Sequence, residues 1–206
     1  DMVVVAPITL QSGAKLQMQR CRLEGDGEVM VIKAGARADF LQVQGRGVIR
    51  VNGADSRPTS LVVRDTQWKG YEGAGVVMVQ GQLDAQGLDL EGAGVSADGG
   101  KLDIRASAIR AAVKDALKLS GSVYAQVEDV TISGCQEVGL HVQGNARLEA
   151  IRCSFSDGGK NDLWVYENGS AVLKDCDLRG GGAKFPSVCV NQKARVTLHG
   201  GNITNP

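Results

Sequence analysis

The stretch Leu148-Glu149-Ala150-Ile151-Arg152-Cys153-Ser154-Phe155 decides the fold, because it returns in kind as Ala171-Val172-Leu173-Lys174-Asp175-Cys176-Asp177-Leu178. The shared pattern is apolar, any, apolar, two of any kind, small or apolar, any, apolar. Upstream it is met at Ala125, Val127, Val130, Ile132; at Leu102, Ile104, Ser107, Ile109; at Leu83, Ala85, Leu88, Leu90; and at Leu61, Val63, Thr66, Trp68. Its first instances read Leu16, Met18, Cys21, Leu23 and Ala36, Ala38, Leu41, Val43, and its last Val196, Leu198, Gly201, Ile203. A return about every 22 residues is the mark of a repeat architecture, which must be recognised before anything else is read.

A shorter signature, apolar-any-apolar, lies between successive ladders. It reads Met30-Val31-Ile32, Ile49-Arg50-Val51, Val77-Met78-Val79, Val95-Ser96-Ala97, Leu117-Lys118-Leu119, Leu140-His141-Val142, Leu163-Trp164-Val165 and Val188-Cys189-Val190. Alternation with period two describes a strand with one buried face. Each repeat thus offers three very short strands separated by bends. None is stable alone. Stacked coils hydrogen-bond across the ~4.8 Å strand spacing and pile their inward residues into one core.

This pattern resembles the right-handed parallel β-helix of the pectate-lyase-like superfamily, in its β-helix-repeat form. The resemblance runs from Ile8 to Ile203 and rests on residue type, not on a catalytic motif. It implies an all-β solenoid of about eight full coils with partial coils at both ends, and a right-handed crossover. A hexapeptide helix would need a six-residue repeat and a leucine-rich repeat an Asn ladder, and neither is present. The stretch Ala108–Leu119 allows one helical turn at most. A loop at 53–60, with Pro58, should protrude, Gly180–Pro186 should enlarge a bend, and the coil from Leu83 to Asp98 is short.

The 206 residues form one periodic domain, 1–206. Formal charge is zero, which argues against a nucleic-acid partner, and no apolar run approaches membrane-spanning length. The ladder opens and closes mid-coil, so a fragment of a longer protein, external caps, or end-to-end self-association is expected. Cys21, Cys153 and Cys176 fall on one inward column as small apolar groups and free thiols. An odd cysteine count favours a reducing, intracellular compartment, while Asn168-Gly169-Ser170 and Asn202-Ile203-Thr204 read as chance sequons. No clustered His/Cys set suggests a metal, and no cofactor is expected.

Chemistry on a solenoid sits on outward columns. The signature centres give one: Val31, Arg50, Met78, Ser96, Lys118, His141, Trp164, Cys189. His141, Trp164, Cys189 and Tyr166, with Met78, predict an exposed soft and aromatic strip that binds a protein partner, further domains of the same protein, or a glycan. A second column runs Gln17, Arg37, Val62, Asp84, Asp103, Gln126, Glu149, Val172, Thr197. There Asp84 and Asp103 stand side by side, with Arg105 and Asp89 nearby, and paired carboxylates can do acid–base work on a glycosidic bond. The resemblance to polygalacturonase-like enzymes makes that a rival reading, although their Asn-Thr-Asp and Gly-His-Gly strings are missing. The likeness to β-helix repeats of intracellular F-box and SHC-binding proteins points instead to a non-catalytic interaction module. That is the expected function, with a polysaccharide-active enzyme as the alternative.

Overall fold

The structure, a computed structural model, describes residues 2–5, 7–54, 57–182 and 184–204. Twenty strands form one continuous hydrogen-bonded system that winds as a parallel β-solenoid of about nine turns. Each turn carries three short strands. Face A holds the signature strands, such as Leu140–Val142, Leu163–Val165 and Val188–Val190. Face B holds the first half of the ladder (Arg147–Ile151, Ser170–Lys174, Arg195–His199) and face C the second half (Ser154–Ser156, Asp177–Arg179, Asn202–Thr204). The chain visits A, B and C in that order and then stacks on itself. Leu148 thus pairs with Ala171 and Phe155 with Leu178, in parallel register. Early in the chain faces merge into longer strands, the longest being Ala74–Glu91.

The corner between faces B and C is made by a single residue with positive φ. Arg20, Gln42, Asp65, Ala106, Asp129, Arg152 and Asp175 all hold φ between 44° and 54° there. A left-handed L-residue costs roughly 1–2 kcal/mol, and strand pairing on both sides holds it in place. Several of these corners are also tied across turns, as where Arg152 donates to both oxygens of Asp129 at 2.8 and 2.9 Å. Within the limit of one helical turn set for Ala108–Leu119 the chain forms none: Gly94–Arg110 runs as strand and 111–116 is a bend. The 53–60 loop lies partly outside the described residues (Asp55 and Ser56). Its described part closes with an antiparallel bridge between Ala54 and Arg57. The short coil is confirmed, since Leu88 meets Ser107 only 19 residues on.

The core is the set of inward columns. Cys21, Cys153 and Cys176 are buried free thiols in the same column as Val43, Leu88 and Val130. The Cys153 thiol, hydrogen-bonded to that of Cys176 and buried, titrates well above the usual thiol range. The second turn departs from the sequence reading. Strand register places Ala38, Phe40, Val43 and Gly45 in the inward columns, not Ala36, Ala38, Leu41 and Val43, and Leu41 is 38% exposed. Gly45 is the reason. It stacks under Trp68, and a Cβ there would come within 2.2 Å of Trp68 Cζ3. One turn gives up a side chain so that the next can insert an indole, which stacks on Phe40 and donates its Nε1–H to Gly47 O at 2.9 Å. The same slip misled the reading of 76–79. Val77 pairs with Arg50 and Ser96, so Val77 is the outward centre, while Met78 points inward and is 1% exposed.

These columns make two expectations concrete. Gly45→Ala should destabilise the fold by about 1–3 kcal/mol, and shrinking the indole with Trp68→Leu in the same chain should recover part of the loss; urea midpoints of the single and double variants measure the coupling. Cys153→Leu should likewise overpack its column and cost about 1–3 kcal/mol; an unchanged midpoint would place Cys153 outside the core.

Candidate functional site

Face A ends in three successive outward residues, His141, Trp164 and Cys189, joined by register into one column with Lys118 before them. Stacking at strand spacing brings flat rings face to face. His141 and Trp164 lie 5.0 Å apart with planes 12° from parallel. Tyr166, two residues beyond Trp164, leans against both, with ring centroids 5.4 Å from His141 and 5.1 Å from Trp164. Its hydroxyl donates to Gln143 Oε1. Burial, with the negative charges of Glu167 and Asp115 adding to it, raises its phenol above the ordinary value. The strip is therefore not laid open as the sequence suggested. His141 is 6% exposed, and Trp164, Tyr166 and Cys189 are half-buried. The cluster covers its own apolar area, and Met78 belongs to the core rather than to it.

The bend that delivers the chain from face C to face A adds a partner that the sequence reading missed. Asp115 lies in the bend before Leu117, and its Oδ2 sits 2.6 Å from His141 Nδ1. Its Oδ1 accepts the Val138 N–H at 3.2 Å. Burial works against the carboxylate charge, but the His141 hydrogen bond, the imidazole's charge and the Val138 amide outweigh it, and Asp115 titrates below the usual carboxylate value. The carboxylate accepts, so Nδ1 carries the proton. His141 Nε2 and Trp164 Nε1 are then left buried with no hydrogen-bond partner among the described residues. Two orphaned ring nitrogens in adjacent residues of one outward stack are costly, about 1–3 kcal/mol each.

Two turns further on in the same series of bends, Asp162 shows the opposite chemistry. It is 1% exposed, and its Oδ1 accepts a long 3.4 Å bond from Gly158 N–H, while Oδ2 finds no partner among the described residues. Burial dominates, the Gly158 amide and Ser187 offset it only in part, and its pKa is pushed up to about 6. The stretch Asp157-Gly158-Gly159-Lys160-Asn161-Asp162 has the composition of an ordinary polar bend. No local pattern distinguishes an inward Asp from an outward one there; only the register, which aligns Asp162 with Gly139 and Ser187, does so.

On face B the register confirms Asp84 beside Asp103, with Asp39 rather than Arg37 in their column. Each acid is already engaged. Arg64 Nη2 reaches Asp84 Oδ2 at 2.7 Å, and Arg105 clasps both oxygens of Asp103 at 2.8 Å. Asp89 lies on face C in an ion pair with Arg110. The four residues of the enzymatic reading are thus split over two faces and neutralised in pairs. Among the described residues no long bend walls a groove over Asp84 and Asp103; the depression there is lined by face-B side chains such as Arg37, Ser60, Gln82 and Lys101. Among the described residues no three His, Cys, Asp or Glu side chains gather as a metal site, and no helix is long and apolar enough to cross a membrane.

A parallel three-faced solenoid with its chemistry on outward columns defines the class of protein. Residues 74–206 match the family described as the right handed beta helix region, and the chain belongs to that family. The match includes the whole face-A cluster, Asp115 and Asp162. No curated protein and no solved structure matches the chain.

The Asp162 geometry gives a pH signature. A carboxyl whose folded pKa lies above the unfolded value of ~3.9 keeps its proton more tightly when folded. Stability is therefore lost as pH rises between about 4 and 6, and the penalty is constant above that, about 2–3 kcal/mol. Asp162→Asn should gain on the wild type over that window and melt at a higher temperature at pH 7, with the two proteins converging near pH 4. Parallel melting curves across that range would refute the raised folded-state pKa of the buried carboxyl.

Proposed function

We propose that this β-helix is a non-catalytic interaction module that binds a protein partner through face A, centred on His141, Trp164 and Tyr166. The observation that carries the reading is the pair of buried, partnerless ring nitrogens in a stacked outward cluster. An outward sheet face exposed to water has no physical need of an imidazole, an indole and a phenol packed together, since neighbouring outward positions are Lys, Ser and Arg. Aromatic groups of this kind carry a disproportionate share of binding energy at interfaces, and Asp115 fixes the imidazole so that the cluster meets a partner already ordered.

The enzymatic reading is less well supported, because Asp84 and Asp103 are each held by an arginine. A catalytic pair would need one carboxyl free to take and return a proton.

Trp164→Ala should leave the solenoid folded, at a stability cost of about 0.5–1.5 kcal/mol for the lost stack, and should weaken partner binding about tenfold or more. The test uses crosslinking and mass spectrometry to identify partners of the wild-type protein, then titrates each purified partner against wild type, Trp164→Ala and Asp84→Asn/Asp103→Asn. Selective loss in Trp164→Ala supports the module. Cleavage of polygalacturonate or alginate that disappears in Asp84→Asn/Asp103→Asn would establish the enzyme instead.

A further inference from the structure

Formal charge is zero, yet ion pairing does not consume the charges evenly over the surface. On face C, outward cations are engaged: Lys69 with Glu91, Arg110 with Asp89, Arg179 with Asp177. On face B, Arg37, Arg64, Arg105 and Lys174 are held by Asp39, Asp84, Asp103 and Glu149. The first outward position of face B, at the edge shared with face A, includes Arg37 early in the chain and changes character from Lys101 onward. Register runs Lys101, Tyr124, Arg147, Ser170, Arg195 down this column. Lys101, Arg147 and Arg195, and Lys193 in the bend before Arg195, are exposed and, among the described residues, make no ion pair, nor does half-buried Lys118 on face A. Of the neighbouring anions, Glu167 is turned onto the Gly144 N–H at 2.8 Å, and exposed Asp98 stands three residues before Lys101. What remains is a cationic edge beside the aromatic cluster.

Its spacing is set by the fold. One turn is one strand spacing, ~4.8 Å, so cations at every second turn stand ~9.6 Å apart along the axis. A polypeptide in the polyproline II form rises ~3.1 Å per residue and returns the same face every three residues, ~9.3 Å. We propose that the A–B edge binds an extended acidic polypeptide segment lying along the solenoid axis, with an acidic side chain every third residue opposite Lys101, Arg147 and Arg195 and an apolar side chain turned toward Trp164 and Tyr166. This deepens the face-A reading by naming the partner's chemistry, and it rests on that reading for the apolar anchor only. The long, mobile Lys and Arg stems suit carboxylates that are themselves on flexible side chains. Between the charges stand one half-open ring, Tyr124, 41% exposed, and one hydroxyl, Ser170, too few polar groups to hydrogen-bond a run of sugar hydroxyls. Attraction between exposed charges is screened beyond about 8–10 Å at physiological salt, so binding is salt-sensitive and gains from several charges acting together.

Two synthetic peptides of one composition test this by fluorescence anisotropy: one with Glu at every third position of a Pro/Ala chain around a central Trp, the other with the Glu residues clustered at one end. The spaced peptide should bind wild type more tightly than the clustered one, and its affinity should fall about tenfold between ~50 and ~300 mM salt. Lys101→Gln/Arg147→Gln/Arg195→Gln should weaken it at least about fivefold. The same charge change on face C, Lys69→Gln/Arg110→Gln/Arg179→Gln, should leave it unchanged. No binding, equal loss in both triple variants, or tighter and equally edge-dependent binding of chondroitin sulfate would overturn the proposal. Trp164→Ala is run alongside. If the edge triple loses the peptide and Trp164→Ala keeps it, the edge stands and the face-A anchor falls; the reverse result removes the edge and leaves the face-A reading intact.

Discussion

Everything in this molecule depends on one constraint: each turn must place the same kind of atom directly above the same kind of atom in the turn before. The parallel hydrogen bonds between turns enforce it, because a slip of one residue would exchange the inward and outward faces of the strand. Volume then has to be conserved column by column rather than residue by residue. Gly45 beneath Trp68 is the clearest case, one turn yielding a whole side chain so that its neighbour can insert the largest one. The small thiols of Cys153 and Cys176 serve the same end where the column meets the left-handed corner.

The same rule governs the outer surface. Residues that are remote in sequence but alike in register become a column whose members stand one strand spacing apart. On face A it brings His141 and Trp164 into a ring stack. On faces B and C it sets opposite charges beside each other, Arg64 on Asp84 and Arg110 on Asp89, while Lys101, Arg147 and Arg195 stand without an ion pair among the described residues at the A–B edge. The solenoid thus acts as a ruler: it fixes distances along its axis without needing a pocket. That is the physical reason for favouring an elongated partner over a small molecule, and it is why the absence, among the described residues, of a walled groove over Asp84 and Asp103 weighs against chemistry there.

The fold was legible in the sequence because apolar spacing at about 22 residues admits few other solutions, and every turn from Leu83 onward falls in the expected inward columns. What misled was compensation between turns. Gly45 breaks the apolar pattern only because Trp68 fills its place, so Leu41 looked like the better core residue. Val76-Val77-Met78-Val79 is apolar throughout and carries no alternation from which to read its phase. At the candidate site, the residues named from the signature centres do come together, since register alone assembles them. Their burial was not legible, because it arises from Tyr166 folding over its neighbours, nor was Asp115, which reaches His141 from a bend 26 residues earlier, one turn plus an offset that no periodic pattern records.

The two tryptophans offer the most direct test that the outward column and the cationic edge form one recognition surface. Trp68 Nε1–H is committed to Gly47 O inside the core, whereas Trp164 Nε1–H has no partner among the described residues. In a nitrogen-15-labelled sample each gives its own indole resonance. On titration with the spaced acidic peptide, the Trp164 indole signal should shift progressively with the bound fraction while that of Trp68 stays fixed. A Trp164 signal that does not move at saturating peptide, or one that moves together with Trp68, would contradict the account.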